Sequence, residues 1–207
     1  MTPFQRLIKR TVDVVGAGAG LVLLSPLFAL IAIAVKAESP GTVFYIDERL
    51  GLGGRRFRVV KFRSMRAGSP PRFNPDGSML VEASDPRVTR VGRILRLGFD
   101  ELPQLWNVLV GDMSIVGPRP DPVWALEKYA PGDEVRMQVR PGITGLAQVL
   151  GRTSIPWKDR LAIDRRYIAE YSLGLDLRVM FLTVFELIPP LRALRRGSGR
   201  STDAPLP

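Results

Sequence analysis

Asp100-Glu101 is the first place in this sequence where chemistry could gather. The two carboxylates open a helix-like run, Asp100 to Leu109, with Pro103 in its first turn. Backbone N–H groups left free at a helix start could hold a phosphate or metal-phosphate beside them. Aspartate as N-cap and glutamate in the first turn are also ordinary helix-start residues, so the pair alone names no reaction. Two arginines are stiffly presented: Arg119 stands between prolines in Gly117-Pro-Arg-Pro120, and Arg140 precedes Pro141-Gly142. Each has the fork that grips phosphate, and each could equally serve as a salt-bridge partner.

The missing residue types narrow the chemistry. None of the 207 residues is cysteine or histidine. That excludes a disulfide framework, a thiolate zinc site, a cysteine nucleophile, a Ser-His-Asp triad and a histidine proton shuttle. An enzyme of this composition works with carboxylates and cations, and its metal would be a hard, oxygen-held ion such as Mg²⁺. Lys and Arg number 30 against 20 Asp and Glu, giving a net charge of +10. The implied partner is polyanionic: nucleic acid, an anionic membrane face or phosphorylated substrates. A mean hydropathy of +0.07 favours the membrane. The length suits one domain with room for an appendage, and needs no disulfides to build a core.

The elements that must position these residues begin with a basic start, Arg6-Leu-Ile-Lys9-Arg10, followed by an apolar stretch from Val12 to Val35 in which only Asp13 and Ser25 are strongly polar. As a straight helix it would run ~36 Å, enough for a hydrocarbon core of ~30 Å. Ser25-Pro26 near its middle predicts a sharp bend, leaving halves of ~20 and ~15 Å that are each too short to cross. Apart from Arg6, Lys9 and Arg10, every basic residue follows Val35, so both flanks favour the cytoplasmic side. A re-entrant helix satisfies both ends. Proline-kinked spanning helices are common, so the residues alone leave both forms open. A signal peptide fits less well, because the apolar run is too long. Gly16, Gly18 and Gly20 imitate a dinucleotide-binding turn, but Leu21 breaks the fingerprint, and they read as close-packing positions in membrane.

Beyond the stretch, Thr42 to Ile46 and Arg56 to Phe62 predict a β-hairpin about Gly51-Leu-Gly53-Gly54. The second strand is cationic (Arg55, Arg56, Arg58, Lys61, Arg63, Arg66), as solvated edge strands often are. Residues 67 to 87 read as a long loop, Val88 to Leu97 as a short helix or strand, and 123 to 129 and 133 to 139 as short helices. Arg140-Pro-Gly142 opens another loop. Lys158 to Tyr171 and Asp176 to Ile188 are amphipathic helices. The second carries Leu177, Met180, Phe181, Val184, Phe185 and Ile188, a stripe for the core or for a membrane interface.

Five strings carry a resemblance: Lys61-Phe-Arg-Ser-Met65, Asp85-Pro-Arg-Val-Thr-Arg-Val-Gly-Arg93, Asp100-Glu-Leu-Pro-Gln-Leu-Trp-Asn107, Gly111-Asp-Met-Ser-Ile-Val-Gly-Pro-Arg-Pro120 and Arg140-Pro-Gly-Ile-Thr-Gly-Leu-Ala-Gln148. In order and across roughly residues 5 to 188, the chain resembles the bacterial sugar transferase family, the small monotopic phosphoglycosyl transferases. The resemblance implies transfer of a sugar-1-phosphate from a UDP-sugar to polyprenol (undecaprenyl) phosphate, giving polyprenol-diphosphate-sugar and UMP. This is the first membrane step of glycoconjugate or exopolysaccharide assembly.

By the same resemblance, Asp100 is the nucleophile that carries a covalent phosphosugar, Glu101 its partner carboxylate with Mg²⁺, and Ser25-Pro26 the break of a re-entrant helix. Beside these, Lys61, Arg63, Arg119 and Arg140 are candidates for phosphate contacts and Asp176 is a candidate second metal carboxylate. Aspartate is ionised at neutral pH and needs no histidine base, which suits this composition. Gly98-Phe99 and Leu150 depart from the family's Ser or Thr before the pair and its Asn in Ala-Gln-Val-Asn-Gly-Arg, which bears on donor choice.

The expectation is a mainly helical α+β, monotopic membrane protein with an N-terminal helix-break-helix and a small hairpin. Residues 1–38 would form the re-entrant helix, 39–190 the catalytic domain with interfacial helices, and 191–207 a basic, flexible tail. It would sit on the cytoplasmic face of the bacterial inner membrane, with membrane lipids and downstream glycosyltransferases as partners and no nucleic acid. The rival is a non-catalytic, membrane-anchored basic binding module.

Overall fold

The computed structural model describes residues 1–70, 72, 85–151 and 155–187. The expected tail at 191–207 and most of the loop at 67–87 lie outside them. Helix α1 (Pro3–Leu23) starts at a capping box: Gln5 N donates to Thr2 Oγ1 at 3.1 Å, Thr2 N donates to Gln5 Oε1 at 2.8 Å, and Pro3 occupies the first turn. Helix α2 (Ser25–Glu38) follows at an angle of 60°. The break falls at Leu24, one residue before the predicted Ser25-Pro26, because proline fits the first turn of the new helix and its missing N–H costs nothing there. Among the described residues no single helix is long and apolar enough to cross a membrane, while the bent pair qualifies by length and composition.

α1 begins well before the apolar stretch, and its early polar residues have an internal use. Lys9 Nζ donates to Val116 O at 2.8 Å and pairs with Asp176 at 2.6 Å. Arg10 donates to Val108 O at 2.6 Å and Leu109 O at 2.9 Å, and Asp13 accepts from Ser114 Oγ at 3.0 Å and Ile115 N at 2.8 Å. One face of α1 is therefore riveted to the rest of the protein. Gly16 and Gly20 permit the close approach, since a Cβ there would lie 2.9 Å from Ile115 Cδ1 and 3.0 Å from Leu105 Cδ1. The expected close packing holds at these two positions, but against the protein's own body. Gly18 faces open space.

Strands β1 (Phe44–Leu50) and β2 (Arg56–Phe62) form the predicted antiparallel hairpin, with β1 longer than its signal. Then come α3 (Arg90–Leu95), a 3₁₀ turn (Phe99–Glu101), α4 (Gln104–Val110) and β3 (Ser114–Val116). After them stand two 3₁₀ helices (Val123–Lys128 and Asp133–Gln138), β4 (Gly142–Thr144), α5 (Leu146–Gly151), α6 (Trp157–Ala169) and α7 (Leu173–Leu187). β3 and β4 pair in parallel, although the sequence predicts a loop from Arg140 onward. Their pairing needs glycine: a Cβ on Gly142 would sit 2.1 Å from Gly117 N, and one on Gly145 would sit 2.1 Å from Gly117 O.

Three apolar clusters hold this α+β, mainly helical fold together. Ala17 of α1 packs with Phe57, Val59, Val108 and Met113, and Ile31 and Val35 of α2 pack with Phe62 and Leu95. Val116, Leu146, Val149, Tyr167, Leu175 and Val179 close the C-terminal half. On α7 the buried apolar residues are Leu175 and Val179, outside the sequence stripe, whose Leu177, Phe181 and Val184 are exposed and Met180 and Phe185 half-buried, with Ile188 outside the described residues.

Candidate active site

Asp100 and Glu101 sit in the 3₁₀ turn, not on α4, which starts only at Gln104. Gly98, at φ 130°, turns the chain into this segment, a conformation that disfavours any side chain. Asn107 then fixes α4 against the hairpin by accepting from Val60 N at 3.1 Å and donating to Arg58 O at 2.8 Å. That contact sets the turn beside Lys61 of β2.

Glu101 is gripped from two sides. Its Oε1 accepts from Lys61 Nζ at 3.0 Å and from Arg119 Nη2 at 2.6 Å, and its Oε2 accepts from Arg119 Nη1 at 3.2 Å. Burial alone would raise its pKa, but Arg119 and Lys61 hold it well below the usual carboxylate range. Asp100 accepts no hydrogen bond among the described residues. Burial, aided by the Glu101 charge, pushes its pKa up against the pull of Lys61, Arg119 and Arg96. Burial pushes Lys61 down, with Glu101 opposing, whereas Glu101 drives Arg119 up and keeps it charged. A half-buried carboxylate that accepts no hydrogen bond among the described residues thus lies beside one held by Lys61 and Arg119.

The structure brings Asp100, Glu101, Lys61 and Arg119 together. It places three other candidates elsewhere. Arg63 is buried and caps α2, donating to Ser39 O at 2.7 Å and also to Pro40 O. Arg140 donates through Nε to Gly111 O at 2.9 Å, beneath the turn that ends α4. Asp176 is buried and takes Lys9, the Tyr167 hydroxyl at 2.7 Å and the Tyr171 hydroxyl at 3.3 Å, all away from Glu101. Beside it, between α1 and α7, lies a cavity of about 150 Å³ walled by Ile8, Val12, Ile115, Val116, Leu173, Leu177 and Met180. Among the described residues no cluster of three or more metal-ligating side chains occurs.

Arg96 and Arg49 were not anticipated. Arg96, at the end of α3, is held by its Nε on Ser64 Oγ at 3.1 Å and feels the charge of Asp100. Four residues before Asp100, it was open to detection as a neighbouring cation. Arg49 pairs with Asp47 and reaches Pro120 O at 3.4 Å. No local signal reports such a reach from a strand to a distant loop.

The model of the bacterial sugar transferase family matches residues 4–189. The chain is 41% identical over 208 residues to the exopolysaccharide production protein ExoY of Rhizobium meliloti (strain 1021), covering 95% of this chain and 90% of that protein. It is 45% identical over 193 residues to the UDP-glucose:undecaprenyl-phosphate glucose-1-phosphate transferase of Caulobacter vibrioides, with 88% and 70% covered. It is 40% identical over 190 residues to the UDP-N-acetylgalactosamine-undecaprenyl-phosphate N-acetylgalactosaminephosphotransferase of Aeromonas hydrophila, where 88% of this chain matches 44% of the relative.

Proposed function

The chain belongs to the bacterial sugar transferase family, and we propose accordingly that it moves a sugar-1-phosphate from a UDP-sugar to undecaprenyl phosphate, releasing UMP, in exopolysaccharide or related glycan assembly. The observation that carries this reading is the unbonded Asp100 carboxylate beside a Glu101 clamped by Lys61 and Arg119. An Asp100 oxygen attacks the sugar-bearing phosphorus of the donor. The bond from that phosphorus to the bridging oxygen breaks, and UMP departs with the electron pair. An oxygen of the acceptor phosphate then attacks the same phosphorus, the bond to Asp100 breaks, and the carboxylate is regenerated. Partial burial and the Glu101 charge raise the basicity of Asp100, which is useful in a nucleophile.

Phosphoryl transfer asks mainly for position and charge neutralisation. Arg119 offers a fork on a stiff loop and Lys61 a point charge, and both are oriented by Glu101 before substrate arrives. Two carboxylates nearly balance these cations, so an incoming diphosphate brings excess negative charge. Mg²⁺ fits here: Asp100 has both oxygens open, Glu101 Oε2 takes a single hydrogen bond, and Mg²⁺ commonly needs only one or two carboxylates with substrate phosphates. When bound, it would stabilise the charge that develops on the phosphate of the departing UMP. Asp176, saturated by Lys9 and two tyrosines, is left out of this ligand set.

The site belongs on a membrane surface in this reading, at the cytoplasmic face of the inner membrane. The bent α1–α2 pair supports a re-entrant anchor, since it exposes Val15, Val22, Leu23, Leu30 and Ile33. The exposed Leu177, Phe181 and Val184 of α7 supply a second apolar face at the interface.

The test uses purified protein with undecaprenyl phosphate, Mg²⁺ and a panel of UDP-sugars. UMP release is expected for at least one donor and loss of turnover for Asp100→Asn. Full turnover by that variant would overturn the nucleophile, and no release from any donor would overturn the reaction.

A further inference from the structure

Prolines on both sides of Arg119 leave its loop short of donors. Pro118 and Pro120 have no N–H, so the segment has to be held through its carbonyls. Gly142 N donates to Pro118 O at 2.9 Å, and Leu50 N donates to Asp121 O at 2.9 Å. The carbonyl of Arg119 itself is taken by Arg136 Nη2 at 2.8 Å, its one donor among the described residues.

Arg136 comes from the 3₁₀ helix Asp133–Gln138 and is 7% exposed. The same Nη2 pairs with Asp164 of α6 at 2.8 Å, and Nη1 pairs with Asp121 and meets the Tyr129 hydroxyl at 3.3 Å. Tyr129 in turn donates to Asp121 at 2.9 Å, and Arg165 ties α6 to Asp133 at 2.7 Å. One guanidinium therefore joins the Arg119 loop, the 3₁₀ helix and α6. Buried ion pairs are often no more stabilising than apolar side chains of the same volume, so such a network calls for a reason beyond stability. Here the reason is direction: a planar fork fixes the carbonyl of the residue whose side chain must meet Glu101 and a phosphate together.

We propose that Arg136 is a positioning residue for Arg119, setting the loop so that the Arg119 guanidinium engages both Glu101 and the substrate phosphates. This deepens the reaction proposed above and rests on it. Arg136→Lys keeps a buried positive charge between Asp121 and Asp164 but loses the fork that reaches Arg119 O. It is expected to retain a near-native unfolding temperature in lipid nanodiscs while kcat for UMP release falls roughly ten- to a hundredfold, the scale of a misplaced catalytic group.

The decisive readout is a double-mutant cycle. In an Arg119→Met background, where residual turnover is measured at high enzyme concentration, Arg136→Lys should cost nothing more, because the group it positions is gone. Should Arg136→Lys fail to fold, the isosteric Asp121→Asn, which weakens the hold on Nη1, carries the same cycle, with a smaller loss and the same coupling. Full kcat in the single variant, or losses that multiply in the double variant, would overturn the positioning role and leave the reaction standing. Native protein that releases UMP from no donor would overturn both.

Discussion

At the residue scale, the division of labour between two adjacent carboxylates decides the chemistry. Asp100 is raised by burial and by its neighbour, so its reactive anion forms only above the ordinary aspartate range. As pH falls, kcat/KM is expected to drop with a midpoint above that of an ordinary aspartate, and Lys61→Met should move that midpoint higher by removing an opposing cation. A pH-rate profile of both proteins checks this, and an unshifted midpoint in the variant would count against the assignment. Glu101 runs the other way. Its depressed pKa means that its pairing contributes stability above the ordinary glutamate range, which is lost only as pH falls into strong acid. Asp100, Glu101 and Arg119 were legible in the sequence because each sits in a contiguous string with stiff neighbours. The grip of Lys61 on Glu101 was not, since it joins a strand to a turn through tertiary packing. The same limit hid where Arg63 and Arg140 sit, Arg63 donating to carbonyls at the end of α2 and Arg140 donating through Nε to Gly111 O at the end of α4.

At the element scale, contact through α1 and contact through glycine govern the site. Asp13→Ala would strand the buried Ser114 hydroxyl and the Ile115 N–H, with an expected cost of about 1–3 kcal/mol. Thermal unfolding in nanodiscs should show it, and Asp13→Asn, which keeps an acceptor oxygen, should lose less. Gly142→Ala and Gly18→Ala make a sharper pair. The first drives a Cβ into backbone and should abolish turnover together with cooperative unfolding, while the second meets open space and should leave both intact. Equal behaviour of the two would contradict the close approach of β3 and β4. The hairpin and the later helices could be read from periodicity, and the bend from proline. The three-residue strands β3 and β4 could not, because a parallel pair that short leaves no alternation to detect and its partners lie far apart in sequence.

At the scale of the whole molecule, the proposed membrane-surface reading rests on the +10 charge and the apolar bent pair. A re-entrant anchor keeps both ends of α1–α2 on one side. The chain has no native thiol, so Arg6→Cys and Ala37→Cys, both at exposed positions, can be read without background. In sealed inverted membrane vesicles, an impermeant maleimide should label both variants. Labelling of one from each face would overturn re-entry. The riveting of α1 by Lys9, Arg10 and Asp13, with Ala17 in a core beside Phe57 and Met113, has a practical side for protein production. Trimming away the first helix would not liberate a water-soluble enzyme. It would uncover Val108 and Met113, strip the end of α4 of its cation and leave Asp176 without its lysine, yielding an aggregating fragment rather than a reagent.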